Sequence, residues 1–180
     1  MFRKLAVSLW TMLIILGGLP GTGKTTIARE LARQLGAVHV RIDSIEQAIR
    51  ESGVVAVSLD EAGYRVGYAV AEDNLRLGHT AIADSVNPLS VTRNAWVEVA
   101  TRVGVDFVEV EITCSDPQEH RRRVETRMPD IPGLRSPTWS EVVARDYEPW
   151  NRERTVIDTA HASPEHSVET LRANLAKRAF

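Results

Sequence analysis

The stretch Gly18-Leu19-Pro20-Gly21-Thr22-Gly23-Lys24-Thr25 satisfies every fixed position of the pattern G-x-x-x-x-G-K-[ST]. Its setting constrains the fold more than the pattern does alone. An apolar run, Met12 to Leu16, precedes it and reads as a buried strand, and a helical pattern, Thr26 to Leu35, follows it. Strand, glycine loop and helix in that order form a P-loop. The glycines let the backbone wrap a polyphosphate with its N–H groups turned inward, and the helix N-terminus adds a favourable dipole. Gly18 through Thr26 are therefore expected to hold nucleotide phosphates. Lys24 reaches the β- and γ-phosphates and the Thr25 hydroxyl holds Mg²⁺.

A chain of 180 residues with 43% hydrophobic and 26% charged content is expected to fold as a single domain with a real core. We read residues 1–11 as an N-terminal extension and residues 12–180 as the domain. A signal-peptide reading of the N-terminus is rejected, because the apolar run ends in the P-loop itself and cleavage would remove a required strand. No run is long enough to span a membrane. The net charge of −2 gives no general pull towards nucleic acid or anionic lipid. Cys114, the single cysteine, rules out an intrachain disulfide framework and reads as a packed thiol. A cytoplasmic setting is expected.

Beyond the P-loop, strand-like and helix-like segments alternate. Strands are expected over 37–42, 79–83, 106–112 and 155–158. Helices are expected over 44–50, 59–77, 88–102, from 116 or 117 onward, and over 164–179. Asp116, Pro117 and Glu119 make a helix start, with Pro at the first position. Such alternation predicts an α/β fold, a parallel sheet with helices on both faces. Ligands then sit beyond the carboxyl ends of the strands. The irregular stretch Met128 to Thr138, with Pro129, Pro132, Gly133 and Pro137, adjoins an arginine cluster and reads as part of a lid over about 117–138.

Several polar residues fall at those strand ends. Asp43 closes strand two, which should lie beside strand one or nearly so; it reads as a general base for an attacking hydroxyl, or as a helix N-cap. Asp84 ends a short Walker-B-like pattern, Ala81-Ile82-Ala83-Asp84, and can hold Mg²⁺ through water, anchor the acceptor, or only bond the next loop. Asn87 can contact substrate or serve a turn. In Arg121-Arg122-Arg123-Val124-Glu125-Thr126-Arg127, helical spacing puts Arg123 and Arg127 on one face, which suits a triphosphate. At least one of the three adjacent arginines is solvated or paired with Glu119 or Glu125. Arg135 and Tyr147-Glu148-Pro149-Trp150 lie near the lid and can shape an acceptor pocket. Trp96, Trp139 and Trp150 read as packing residues. His39, His79, His120, His161 and His166 show no metal-ligand spacing and are given no role.

These residues resemble the P-loop kinase superfamily from Met12 on. Within it they resemble the small phosphotransferases related to the kinase domain of polynucleotide kinase and to chloramphenicol phosphotransferase. The resemblance implies a P-loop NTPase fold with a five-stranded parallel sheet, ATP and Mg²⁺ as cofactors, and Asp43, in Arg41-Ile42-Asp43-Ser44-Ile45-Glu46-Gln47, as the base. It implies that Arg123 and Arg127 clamp the nucleotide and that Ile157-Asp158-Thr159 is the last strand and the loop that touches adenine. The polynucleotide kinases carry an arginine three residues after the base, where this chain has Glu46. The expected function is transfer of the γ-phosphate of Mg–ATP to a hydroxyl of a small molecule. The alternatives are a nucleoside or polynucleotide 5′-hydroxyl kinase and, from another class, an ATP-dependent switch or ATPase.

Overall fold

The computed structural model describes residues 11–53 and 59–178. Of the extension expected over 1–11, only Thr11 is among them; Ser58, a possible cap of the long helix, and Ala179 lie outside the described residues.

Five strands, β1 (Met12–Gly17), β2 (Val38–Arg41), β3 (Ala81–Asp84), β4 (Asp106–Thr113) and β5 (Thr155–Asp158), form one sheet in the order β2-β3-β1-β4-β5. Every pairing is parallel. β1 is central and completely buried. Its apolar run is that of a strand covered on both faces. Alternate side chains serve two cores. Met12, Ile14 and Leu16 pack with Ile27 and Leu31 of α1 (Lys24–Leu35) and with Leu171 and Leu175 of α7 (Pro164–Arg178). Leu13 and Ile15 pack with Ala71 and Leu75 of α3 (Leu59–Arg76) and with Trp96 and Val99 of α4 (Ser90–Val103). The α/β architecture read from the sequence is the one found.

β3 lies between β1 and β2, so strand two is one place removed from the P-loop strand, near it as expected though not beside it. Two local expectations are corrected. Asp43 does not end a strand: α2 (Ile42–Glu51) starts one residue earlier, with Arg41 as its N-cap and no side-chain cap bond. Pro88 does not lie in the first turn of α4, which begins at Ser90. By contrast α5 (Pro117–Thr126) starts as expected. The Asp116 carboxylate accepts from the main-chain N–H groups of Gln118 and Glu119 at 2.9 and 3.2 Å, with Pro117 at the first position. A short helix, α6 (Trp139–Val143), follows the proline-rich loop and was not expected. Its capping box, Thr138 with Glu141, is a legible start signal.

No helix among the described residues is long and apolar enough to cross a membrane.

Candidate active site

The P-loop joins β1 to α1 across the carboxyl edge of the sheet. Gly18 takes φ +135°, and a Cβ there would stand 2.1 Å from the carbonyl oxygen of Ile112 on β4. Only glycine fits so close to a neighbouring strand. The Gly18 N–H donates to the Val86 carbonyl at 3.0 Å, fixing the loop to the turn after β3. Thr22 is buried, and its hydroxyl donates to the Leu19 carbonyl at 2.9 Å. The remaining loop residues, Pro20, Gly21, Gly23, Lys24, Thr25 and Thr26, line a cavity of about 1010 Å³.

Asp43, Asp84, Arg123, Arg127 and Arg135 line the same cavity. Lys24 is buried, which drives its ammonium down from the ordinary value of 10.5 to about 8. The nearby Asp84 and Asp43 carboxylates oppose that shift, whereas Arg127 and Arg145 add to it. The fields of both carboxylates and both guanidinium groups thus meet at the P-loop lysine. Asp84 is almost fully buried at the end of β3 and accepts from His39 Nε2 at 3.0 Å. Thr25 and Asp84 offer hard oxygen donors to one cavity. That set fits Mg²⁺, which keeps water and phosphate oxygens in its shell and needs only one or two protein ligands. Among the described residues no group of three or more His, Cys, Asp or Glu could hold a metal alone.

The arginine pair differs from its expected form. α5 ends at Thr126, so Arg127 is the C-cap, with extended backbone at φ −66° and ψ 136°, and does not share a helical face with Arg123. Arg123 donates to the Thr159 hydroxyl and to its carbonyl, each at 2.8 Å, and to Glu119 at 2.7 Å. Thr159 in turn donates to the Thr22 carbonyl at 2.9 Å. Arg123 therefore knits α5, the loop after β5 and the P-loop into one wall. Arg135 is exposed and paired with Glu141.

Asn87 stands apart from the cleft. It is fully buried, its amide donates to the Leu16 carbonyl at 2.7 Å, and its backbone has φ +48°. Its side chain shapes the turn after β3 and it does not line the cavity, so of the two roles read for it the structure shows the turn and not the substrate contact. Tyr147-Glu148-Pro149-Trp150 is likewise used elsewhere. Arg93, 1% exposed, donates to the carbonyls of Pro88, Glu148 and Pro149 and lies 4.5 Å from the centre of the Trp150 ring.

Sequence reasoning missed five contributors. Two of the histidines given no role have partners: His39 on Asp84, and His120, whose Nε2 lies 2.8 Å from the Pro20 carbonyl. A carbonyl only accepts, so His120 carries its proton on Nε2. Arg145 lines the cavity just beyond α6, whose capping box would have pointed to a helix there. Arg41, two residues before Asp43 in sequence, is buried and paired bidentately with Asp130, at 2.8 and 3.0 Å. The Arg41 guanidinium holds the Asp130 carboxyl well below the ordinary carboxylate range.

Beyond Asp43 the cavity extends between α2, α3 and α4, where Glu46, Tyr64, Tyr68, Leu89, Thr92 and Ala95 line it. A smaller cavity of about 280 Å³ opens behind the P-loop, between Thr26, Arg122, Thr159 and Pro164.

This fold and this convergence of P-loop, carboxylates and arginines define a P-loop phosphotransferase. The profile described as "AAA domain" matches residues 13–145, and the chain belongs to that family of P-loop proteins. Its relatives are kinases, and the chain is an ATP-dependent phosphotransferase of that kind. It is 25% identical to the "Probable adenylyl-sulfate kinase" of Aeropyrum pernix over 178 residues, covering 89% of this chain and 90% of that protein. It is 36% identical to the shikimate kinase of Corynebacterium efficiens over 134 residues, 65% of this chain and 79% of that one. Among solved structures, the Mycobacterium tuberculosis APS kinase CysC in complex with AMPPNP and APS superposes with a TM-score of 0.70 at 18% identity, over 93% of this chain and 98% of that chain. That last likeness is one of fold.

Proposed function

We propose that the chain transfers the γ-phosphoryl group of ATP to a hydroxyl group of a small organic acceptor, with Asp43 as the base. The observation that carries this reading is the single cavity that joins the P-loop to an acceptor compartment, with Asp43 at the boundary. The acceptor oxygen bonds to the γ-phosphorus as the bond to the β–γ bridging oxygen breaks, leaving ADP, and the acceptor proton passes to the Asp43 carboxylate. Lys24 spans the β- and γ-oxygens, and Arg127 and Arg145, whose guanidinium groups have no hydrogen-bond or ion-pair partner among the described residues, answer charge on the transferring group. Mg²⁺, when bound, would be held by the Thr25 hydroxyl and the Asp84 carboxylate and would neutralise the phosphate oxygens. The adenine ring is assigned to the smaller cavity, which Thr159 lines.

A small acceptor is favoured over a polynucleotide. On the acceptor side Arg65 is held by Glu61, Arg50 by Gln47 and Arg135 by Glu141, and Glu46 lines the cleft. The guanidinium groups that would follow a phosphate backbone are thus already engaged.

Radiolabelled Mg–ATP offered to sugars, nucleosides, aminoglycosides, phenicols, adenylyl sulfate, shikimate and a 5′-hydroxyl oligonucleotide tests the reading. Label is expected on one small-molecule class and is lost in Lys24→Ala and Asp43→Asn, while Asp43→Asn still binds ATP. Full transfer by Asp43→Asn overturns the base assignment. Label appearing only as free phosphate, equally in wild type and Asp43→Asn, points to an ATPase or switch instead.

A further inference from the structure

Arg41 ends β2 at the floor of the cleft, with 5% of its side chain exposed. Two carboxylates can claim its guanidinium. Asp130 takes both terminal nitrogens, at 2.8 and 3.0 Å. The Asp43 carboxylate already forms an ion pair with one of the same nitrogens, at 3.7 Å, too long for a hydrogen bond. Arg41 Nε is buried and has no partner, so this charge has little else to satisfy it. A buried cation stripped of one carboxylate moves to the next within reach, because leaving it unpaired is expensive. Asp130 is carried by the loop after α5, where it also meets Arg29 of α1.

We propose that Asp130 is a positioning residue for the transfer step: by taking the hydrogen bonds of the Arg41 guanidinium it keeps the Arg41–Asp43 ion pair long and the Asp43 oxygens open to a proton, and it does so only while its loop is docked against β2 and α1. The inference rests on the reading of Asp43 as the base. When the loop is docked, Arg41 is neutralised from the far side and Asp43 faces the acceptor compartment as a usable base. When the loop leaves, Arg41 closes on Asp43 and turns this long ion pair into a hydrogen-bonded one, which makes the carboxylate a weaker base. Proton acceptance is thereby coupled to closure of the cleft, which opposes transfer to water in an open site.

The charged and titratable groups that bear on Asp43 can be named from each side. Arg41 faces it from β2, Lys24 acts on it from α1, Tyr64 from α3, and Glu46 lies one turn on in α2. Asp130 is the group among the lid's residues that controls the nearest of these.

The test reads Asp43 directly and needs no acceptor. Carboxyl-¹³C aspartate is incorporated, the Asp43 signal is assigned with Asp43→Asn, and its titration is followed by NMR in wild type, Asp130→Asn, Asp130→Glu and Asp130→Asn/Arg41→Gln. An opposite charge brought into contact lowers a carboxylate by about one pH unit or more. The Asp43 midpoint is expected to fall by that much in Asp130→Asn, to stay near wild type in Asp130→Glu, and to return in the double variant. A merely structural role for Asp130 would not be relieved by removing Arg41. An Asp43 midpoint that does not move in Asp130→Asn, or that the double variant fails to restore, overturns the proposal. Failure of the kinase reading shows separately, as phosphate release independent of Asp43, and leaves this titration unaffected.

Discussion

Lys24 Nζ donates to the main-chain carbonyl of Leu19 at 2.9 Å, so the P-loop lysine is held across the mouth of its own loop. Burial has brought that ammonium down to about 8. The sign of the consequence follows from which form each state favours. The folded protein resists the charged lysine, so this penalty is full below about pH 8 and disappears as pH rises towards 10.5, the ordinary value; stability from this group therefore increases across that window. Polyphosphate favours the charged form and reverses the shift. ATP binding at pH 8.5 should therefore take up a fraction of a proton, and at pH 6.5 Lys24 should contribute none. Calorimetric titration in buffers of different ionisation heat measures this uptake, and Lys24→Met should abolish the pH 8.5 component. Equal uptake in Lys24→Met would assign the proton elsewhere.

Much of the fold was legible because its signals are local. The P-loop, the apolar run of β1 and the Asp116-Pro117 helix start each depend on neighbouring residues, and each stands where it was read. The order of strands does not depend on neighbours in sequence. Placing β3 between β1 and β2 reflects where α3 and α4 pack, which no local pattern states. The site divides in the same way. Asp43, Asp84, Arg123 and Arg127 were singled out by residue type beside a P-loop, and they line one cavity although the helical spacing read for the two arginines does not hold. Asp130 and His39 were missed because their partners, Arg41 and Asp84, lie 89 and 45 residues away in sequence. Asn87 was left between two roles because an Asn-Pro pair looks alike whether it faces ligand or bonds a strand end.

Arg93 illustrates a buried cation serving the framework. Its guanidinium is sandwiched near the Trp150 and Tyr147 rings, 4.5 and 5.8 Å from their centres, and donates to Leu89 as well as to the three carbonyls named above. Trp150 in turn covers Gly17 so closely that a Cβ there would be 2.6 Å from the ring. Arg93→Met keeps the bulk and removes the donors. Hydrogen bonds to charged groups contribute about 1.5–3 kcal/mol each, with several lost together here, so the expected destabilisation is at least about 3 kcal/mol. Urea unfolding checks it. A loss below about 1 kcal/mol would mean that water replaces the guanidinium at those carbonyls.

Two glycines with positive φ separate strain from collision. Gly36, at φ +63°, ends α1 with nothing within 4 Å of a new Cβ, whereas Gly18 would drive one into the Ile112 carbonyl. Gly36→Ala should cost about 1–2 kcal/mol, the price of a left-handed alanine. Gly18→Ala should cost about 1–3 kcal/mol more, because β4 must give way, and should also abolish ATP binding. Chemical unfolding and nucleotide titration of the two variants side by side measure both effects. Equal stability of the two would show that β1 and β4 part without penalty.

The buried Asn87 yields a prediction that separates a scaffold residue from a substrate contact. Its amide satisfies the Leu16 carbonyl, its main-chain N–H donates to the Tyr64 hydroxyl at 3.2 Å, and it tolerates φ +48° as few residues other than glycine do. Asn87→Ala loses the amide and strains the backbone, while Asn87→Gly loses the amide alone. Leaving the Leu16 carbonyl unpaired costs about 1–3 kcal/mol, so both variants should unfold at lower urea, alanine lower than glycine. A contact made only with substrate would behave oppositely: both variants would keep wild-type stability and differ only in acceptor KM. The turn after β3 also receives the Gly18 N–H through Val86, so the alanine variant should weaken ATP binding as well. An alanine variant as stable as wild type would return Asn87 to the substrate side of the cleft.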